Sequence, residues 1–286
     1  EFGGSLAVEA GPIDGAPARE WAAATVAELT AMPDVTLVRR ASVFGYYDHN
    51  ALAIVEHVVE HVADHLAEPL PFQPRQRLWM VRARQVVLAT GATERSFVFA
   101  DNDRPGIMLA SAARAYANRF AVRAGRRCVV FTNNDSAYGA TADLAAAGIE
   151  VAAVIDARPG DPGPAAAKAL GTGIERLAGH AIVATRGSGA LTAVEVAPLN
   201  KSGDGLGGSL RRFDCDLLCV SGGWNPAVQL HAQAQGRPVY DDTLAAFVPG
   251  PSVQAERSAG SAKGTFTLAG CLADGMEAGA EAARQA

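Results

Sequence analysis

Short apolar runs alternate with longer amphipathic stretches along this chain, and the two periods predict strands and helices in turn. Residues 17–32 carry a helical pattern with Pro17 at its start, where a missing N–H is tolerated. Segments 35–38 and 42–47 read as strands, and Asp48-His49-Asn50 reads as a turn. Residues 78–83 form a further strand. Val86-Val87-Leu88-Ala89 is a short, wholly apolar run of the kind buried on both faces, and it runs into Thr90-Gly91. Residues 105–120 predict a helix, with Ile107, Leu109, Ala112, Ala113, Tyr116 and Phe120 near helical spacing. A strand over 126–131, a polar turn over 132–138, a helix to Ala147 stopped by Gly148, and a strand over 149–156 follow. Two more strands are expected at 213–220 and 265–271, the last ending at Gly270, before an alanine-rich helix to the end of the chain.

Strand, turn, helix, strand with an acidic residue closing the second strand is the Rossmann layout. The expected fold class is therefore α/β, with two Rossmann-like lobes of the kind found in oxidoreductases with two dinucleotide-binding domains, the first lobe incomplete. Residues 1–103 and 211–286 are expected to form that first, split lobe, and residues 104–210 the second. At 286 residues the chain is long enough for two cores. A net charge of −5 gives no footprint for nucleic acid or an anionic membrane. No apolar run reaches the length of a membrane span. Cys128, Cys215, Cys219 and Cys271 are scattered, without a disulfide framework, which suits a reducing cytoplasm. Cys215 and Cys219 share a face by period two and read as core thiols.

The chemistry is expected where backbone can come close to a ligand. Gly91 ends the apolar strand and removes a side chain from the space beside it. Gly3-Gly4-Ser5, at the start, reads as a second such approach. No Gly-x-Gly-x-x-Gly follows a strand near the N-terminus, so the loop that grips a pyrophosphate is expected upstream of Glu1. The second lobe has its own defect. A phosphate cradle needs bare N–H groups and glycines, yet its turn carries Asn133, Asn134 and Asp135. Asp135 would satisfy the helix dipole itself and repel a pyrophosphate, so this lobe is expected to bind no nicotinamide nucleotide. Asp156 then reads as a strand-end residue rather than a ribose ligand.

Four segments carry a family resemblance: 86–95 (Val-Val-Leu-Ala-Thr-Gly-Ala-Thr-Glu-Arg), 99–106 (Phe-Ala-Asp-Asn-Asp-Arg-Pro-Gly), 129–138 (Val-Val-Phe-Thr-Asn-Asn-Asp-Ser-Ala-Tyr) and 221–226 (Ser-Gly-Gly-Trp-Asn-Pro). With them the chain resembles the alpha subunits of heterotetrameric sarcosine oxidases from Gly3 to the final helix. Thr93 and Ser96 depart from the family's His and Pro, and Cys271 stands where an acid is usual. The resemblance implies an NAD site in the alpha subunit, contributed here by Gly3, Gly4, Ser5, Val43, Thr90, Gly91, Gly270 and Cys271, with no catalytic residue and no metal in this stretch. It implies FMN at the interface with the beta subunit, FAD in the beta subunit where sarcosine is oxidised, and gamma and delta subunits completing the complex. Tetrahydrofolate is handled in a further alpha-subunit domain outside this stretch.

Other constellations carry less. His57, His61 and His65, spaced by four, suggest one face of a helix, and the surrounding Glu56, Glu60, Asp64 and Glu68 favour a solvated face over zinc. Ser136 beside Asp135 has no accompanying histidine for nucleophilic catalysis. The glycine-rich 201–209 lacks the strand and helix frame of a phosphate loop. Homologous subunits of hydrogen cyanide synthase, opine oxidase or dye-linked proline dehydrogenase remain open alternatives, as does a nonredox scaffold.

Overall fold

The computed structural model of the protein describes residues 2–58, 72–171 and 173–286. The chain divides into two compact units. One is built from Glu20–Thr93 and Asn225–Ala286 with the residues up to Gly4, the other from Ser5–Arg19 and Glu94–Trp224. The crossings thus fall at 4/5, 19/20, 93/94 and 224/225, where crossings at 103/104 and 210/211 were expected. Residues 94–103 stay with the second unit because Phe97 stacks on Phe131, with ring centroids 4.1 Å apart. Residues 211–214 stay with it because the strand Arg211–Asp214 pairs with Ala193–Pro198.

The second unit is organised around a five-stranded parallel sheet. Its elements are β1 (Ile107–Leu109), α1 (Ala110–Phe120), β2 (Arg127–Thr132), α2 (Ser136–Ala146), β3 (Glu150–Asp156), α3 (Pro164–Leu170), β4 (Arg176–Ala178) and β5 (Leu217–Ser221). The strand order is β4-β3-β2-β5-β1, with every pairing parallel. The sequence of β2, Arg-Cys-Val-Val-Phe-Thr, is buried after its first residue, as a strand covered on both faces must be. On one face Cys128, Val130, Leu217 and Cys219 meet Ala113 of α1 and Tyr138 and Leu144 of α2. On the other, Val129, Phe131, Leu218 and Val220 meet Ile182, Val194 and Val196. Those last residues come from an antiparallel layer of His180–Arg186, Ala193–Pro198 and Arg211–Asp214. Burying each of Leu217 and Leu218 completely contributes about 1.5–3 kcal/mol.

Several local expectations are corrected here. The helix expected over 105–120 begins only at Ala110, because Ile107–Leu109 is drawn into the sheet as the partner of β5. The single strand expected over 213–220 is two strands in different sheets. Between them the Asp216 carboxylate accepts the backbone N–H groups of Arg126 and Arg127 at 2.9–3.0 Å, which turns the chain into β5. Cys215 and Cys219 therefore lie in different cores and not on one face. Burial, aided by neighbouring Cys128, pushes the Cys215 thiol up to about 12, so it stays protonated. No strand forms over 35–38.

The first unit has an antiparallel sheet of Ala41–Tyr47, Ala51–His57 and Gln76–Arg82. Its hairpin turn holds His49 and Asn50 at φ of 60° and 52°, as expected for the Asp48-His49-Asn50 turn. His57 closes a strand instead of opening a helix, and its ring meets Gln76. His61 and His65 lie outside the described residues. Beside this sheet, Val86–Leu88 pairs in parallel with Glu256–Ser258. Tyr46, Leu52, Val86, Leu88 and Ala234 make the core of the unit. The final strand expected over 265–271 does not form. Thr267 instead caps the helix Leu268–Gln285, its hydroxyl oxygen accepting the Gly270 N–H at 3.2 Å. The true second strand, Glu-Arg-Ser, has no apolar pattern at all.

Two glycines separate backbone strain from helix propensity in the second unit. Gly106 sits at φ +102°, and a Cβ there would lie 2.7 Å from the Asp216 carbonyl oxygen. Gly139 lies inside α2 with nothing within 4 Å of a Cβ. Gly106→Ala should cost at least about 2 kcal/mol in chemical denaturation, and Gly139→Ala should add up to about 1 kcal/mol. Equal effects of the two would refute the strain assigned to Gly106.

Candidate functional site

In the first unit, the loop Ala89-Thr90-Gly91 leaves the parallel strand and is held from its side. The Thr90 hydroxyl donates to the Ala227 carbonyl at 2.9 Å, and the Ala227 N–H donates to the Gly91 carbonyl at 2.9 Å. Gly91 is at φ +80°, a conformation that L side chains rarely adopt. The nearest atom to its absent Cβ is the Ser261 hydroxyl oxygen at 3.9 Å. A Cβ at Gly91 would therefore meet only this one atom, at ordinary contact distance, and it is the positive φ that favours glycine there.

Ser261 follows Gly260, at φ +63°, and Gly260 follows the strand Glu256–Ser258. That strand is tied to its neighbour by the Ala259 N–H, which donates to the Leu88 carbonyl at 3.0 Å. The pair of strand-ending glycines is consequently Gly91 and Gly260, where Gly270 was expected. Gly270 lies in the first turn of the last helix, and a Cβ there would lie 2.6 Å from Thr265 Cγ2. Its missing side chain serves the helix cap. Cys271 does reach this neighbourhood: its sulfur would lie 3.5 Å from a Cβ on Gly260, and its thiol donates to the Thr265 carbonyl at 3.0 Å. Burial raises that thiol above its ordinary value. Ala259-Gly260 and Ala269-Gly270 repeat the same dipeptide, and hydrophobicity favours the second, which is why sequence reasoning missed Gly260, Ser261 and Ala227.

The remaining expected residues are solvent-facing. Gly3, Gly4 and Ser5 are exposed at the start of a short 3-10 turn, Gly4–Ala7, with Leu6 buried beneath it. Gly4 has nothing within 4 Å of a Cβ position. Val43 is partly exposed on the strand Ala41–Tyr47.

In the second unit the turn after β2 is closed by its own side chains. Asn134, not Asp135, caps α2: its side-chain oxygen accepts the Ser136 N–H at 3.1 Å and the Ser136 hydroxyl at 2.6 Å. Its amide nitrogen donates to the carbonyl and hydroxyl oxygens of Ser221, at the end of β5. The Trp224 indole N–H donates to the Ser136 hydroxyl oxygen at 2.9 Å. Asp135 turns aside to accept the Gly163 N–H at 2.9 Å and to pair with Arg158 at 2.8 Å. The donors that would hold a pyrophosphate are occupied, and a carboxylate lies beside them.

Asp156, at the end of β3, is closed in the same way. It is fully buried and accepts from the Tyr138 hydroxyl at 2.7 Å, the Arg158 N–H at 3.0 Å and the Arg158 guanidinium at 2.8 Å. No acceptor is left over for a ribose hydroxyl. Burial alone would raise this carboxyl, but the bonds from Arg158 and Tyr138 outweigh it and hold it below its ordinary 3.8. Among the described residues, no group of three His, Cys, Asp or Glu is placed to hold a metal. No described helix is long and apolar enough to cross a membrane.

The lowered Asp156 value sets a pH dependence. A carboxyl depressed on folding contributes stability that is present above its unfolded value, about 3.9, and is lost as pH falls through the folded one. Asp156→Asn should therefore lower stability at neutral pH and flatten the loss of stability below about pH 4. Denaturation series at several pH values would show it; an unchanged acid slope would remove Asp156 as a contributor.

No family model matches the chain. The sarcosine oxidase alpha subunit of Corynebacterium sp. strain P-1 is 47% identical over 289 residues, covering 100% of this chain and 29% of the relative. The alpha subunit from Corynebacterium sp. strain U-96 is 43% identical and that from Rhizobium meliloti 40%, each over 96% of this chain. The chain thus spans 26–29% of the length of these relatives. Among solved structures, thioredoxin reductase of Lactococcus lactis superposes with a TM-score of 0.69 at 13% identity, covering 99% of this chain and 87% of that one. L-Proline dehydrogenase of P. horikoshii superposes with a TM-score of 0.62 at 17% identity, covering 92% of this chain and 44% of that one. At such identities these likenesses establish the fold. By sequence and fold together, the chain is a homologue of a stretch of sarcosine oxidase alpha subunits, with an α/β, Rossmann-like architecture.

Proposed function

We propose that this chain supplies a dinucleotide-binding lobe and a subunit-contact lobe to a sarcosine oxidase complex, and that NAD is the dinucleotide. The observation that carries the reading is the open space over Gly91, with its backbone at φ +80° and its flanks held by Ala227 and Ser261. A flat ligand approaching backbone needs a position with no side chain, which a glycine at this φ supplies. Thr90, Gly91, Gly260 and Ser261 are the residues of this chain that would lie along the ligand, with Cys271 behind Gly260. Gly3, Gly4, Ser5 and Val43 belong to the same proposal. NAD supplies a nicotinamide ring competent for hydride transfer; the residues of this chain bind and orient.

The second lobe keeps the nicotinamide-domain fold and has lost the site. Its turn polar groups bond to Asn134, Ser221 and Trp224. A lobe so closed is suited to holding partners, here the beta subunit, with FMN at that contact and FAD within the beta subunit. Gamma and delta subunits complete the complex, and the reaction is the oxidative demethylation of sarcosine with reduction of oxygen to hydrogen peroxide. The formaldehyde-level carbon passes to tetrahydrofolate outside this stretch. The oxidising site is assigned to the beta subunit on the family resemblance.

Two measurements test this. In the full-length subunit containing this chain, Gly91→Val should abolish most of the bound NAD recovered on denaturation, while Gly139→Ala leaves it unchanged. Undiminished NAD in Gly91→Val would refute the site. Second, the subunit without its beta partner should release no hydrogen peroxide from sarcosine, and adding the beta subunit should bring activity. Turnover by the subunit alone would place the oxidising site within it.

A further inference from the structure

A buried hydrogen-bonded couple in the first unit is not used by the proposed dinucleotide site. His231 lies on the short helix Gln229–Gln233, and Glu256 opens the strand Glu256–Ser258. Their side chains are 1% and 0% exposed, and His231 Nδ1 stands 2.7 Å from Glu256 Oε1. The other two polar atoms, His231 Nε2 and Glu256 Oε2, are buried with no hydrogen-bond partner. Burying these groups costs free energy that apolar residues of the same size would not incur. Gly236 makes the arrangement possible, since a Cβ there would lie 2.2 Å from the imidazole. Near the couple, Tyr46 donates its hydroxyl to Asn50 at 2.7 Å, and burial with the neighbouring Glu256 charge pushes the Tyr46 phenol up to about 12.

The couple joins the two segments that flank Gly91. Four residues before His231 is Ala227, which is hydrogen-bonded to both Thr90 and Gly91. Four residues after Glu256 is Gly260, followed by Ser261, the neighbour of the Gly91 vacancy. Next to His231 in the chain, Leu230 packs against the core cluster of Tyr46, Leu52, Val86, Leu88 and Ala234. We propose that His231 and Glu256 are positioning residues for the cofactor cradle: their buried hydrogen bond locks the Ala227 arm to the Gly260 arm and so sets the width of the space over Gly91. The bond is directional, so it fixes the separation of the arms more narrowly than apolar packing would. That this space takes a dinucleotide rests on the reading under Proposed function; the lock itself does not.

The experiment uses the full-length subunit and reads amide hydrogen exchange without added nucleotide, NAD affinity by titration, and the thermal midpoint. Glu256→Gln keeps an acceptor for the His231 N–H, and Glu256→Leu keeps the shape without one. Glu256→Leu should raise exchange at 89–92 and 259–262 about tenfold, the ratio expected for one lost hydrogen bond, and weaken NAD binding by a similar factor. Glu256→Gln should restore both to within about twofold, and exchange in β2 of the second unit should not change in either variant. If Glu256→Leu does not fold, Gly236→Ala takes its place, because it displaces the imidazole and leaves Glu256 intact; it should raise exchange at the same two segments. Equal exchange and affinity in the Gln and Leu variants, or loosening spread evenly over both units, would overturn the lock. Failure of the unmodified subunit to bind NAD would sink the dinucleotide reading, and the exchange measurements would still decide the lock.

Discussion

The second unit depends on one long-range strand insertion. β5 arrives some ninety residues after β2 in the chain and slides between β2 and β1 as a fully buried parallel strand. Parallel neighbours need a crossover, so this pairing closes a long loop before any of its hydrogen bonds form. Its reward is two cores at once, because Leu217 and Cys219 face the helices while Leu218 and Val220 face the antiparallel layer. Asp216 aims the strand by accepting the N–H groups at the start of β2, and Ser221 ends it where Asn134 can bond to it. The Asn133–Asp135 turn is thereby fastened to the strand that completes the sheet.

The two units treat backbone polar groups in opposite ways. In the second, Asn134, Asp135 and Trp224 satisfy the helix start and its surroundings internally. An anion entering there would have to displace bonds already made and meet the Asp135 carboxylate. In the first, Gly91 and Gly260 hold positive φ values and leave space where side chains would stand. Fold and chemistry are separable in this way because the layers carry the stability and the strand-end loops carry the site.

How much could be read from the sequence varied with the kind of physics involved. Continuous apolar runs marked β2 and β3, since a strand covered on both faces admits little else; the run Val86–Leu88 is also a strand, but it is buried on one face only, with Val86 and Leu88 inward and Val87 exposed. Gly148 marked the end of α2, and the Asp48-His49-Asn50 turn marked a hairpin, because left-handed backbone has few residue types to choose from. The polar Asn133-Asn134-Asp135 segment announced a turn unlike a glycine-rich cradle. What it did not announce was which side chain caps the helix, because Asn134 and Asp135 are equally able to do so and the choice fell to their distant partners, Ser221 and Arg158.

By itself, the sequence determined the alternation of strand and helix, the two-lobed α/β class and the kinship to sarcosine oxidase alpha subunits, since these depend on local period and on long stretches of shared residues. Only the tertiary structure decided where the chain crosses between units, why 107–109 is a strand, and why Glu-Arg-Ser rather than Thr-Phe-Thr-Leu-Ala-Gly lies beside Val86–Leu88. An edge or paired strand of three residues needs hydrogen bonds more than it needs hydrophobicity, and those bonds come from neighbours far away in sequence. The capping threonine likewise drew 268–271 into a helix whose first turn reads locally as the end of a strand. The candidate site shifted with it from Gly270 to Gly260, because the position of a loop is set by the strand that carries it and not by the dipeptide it contains.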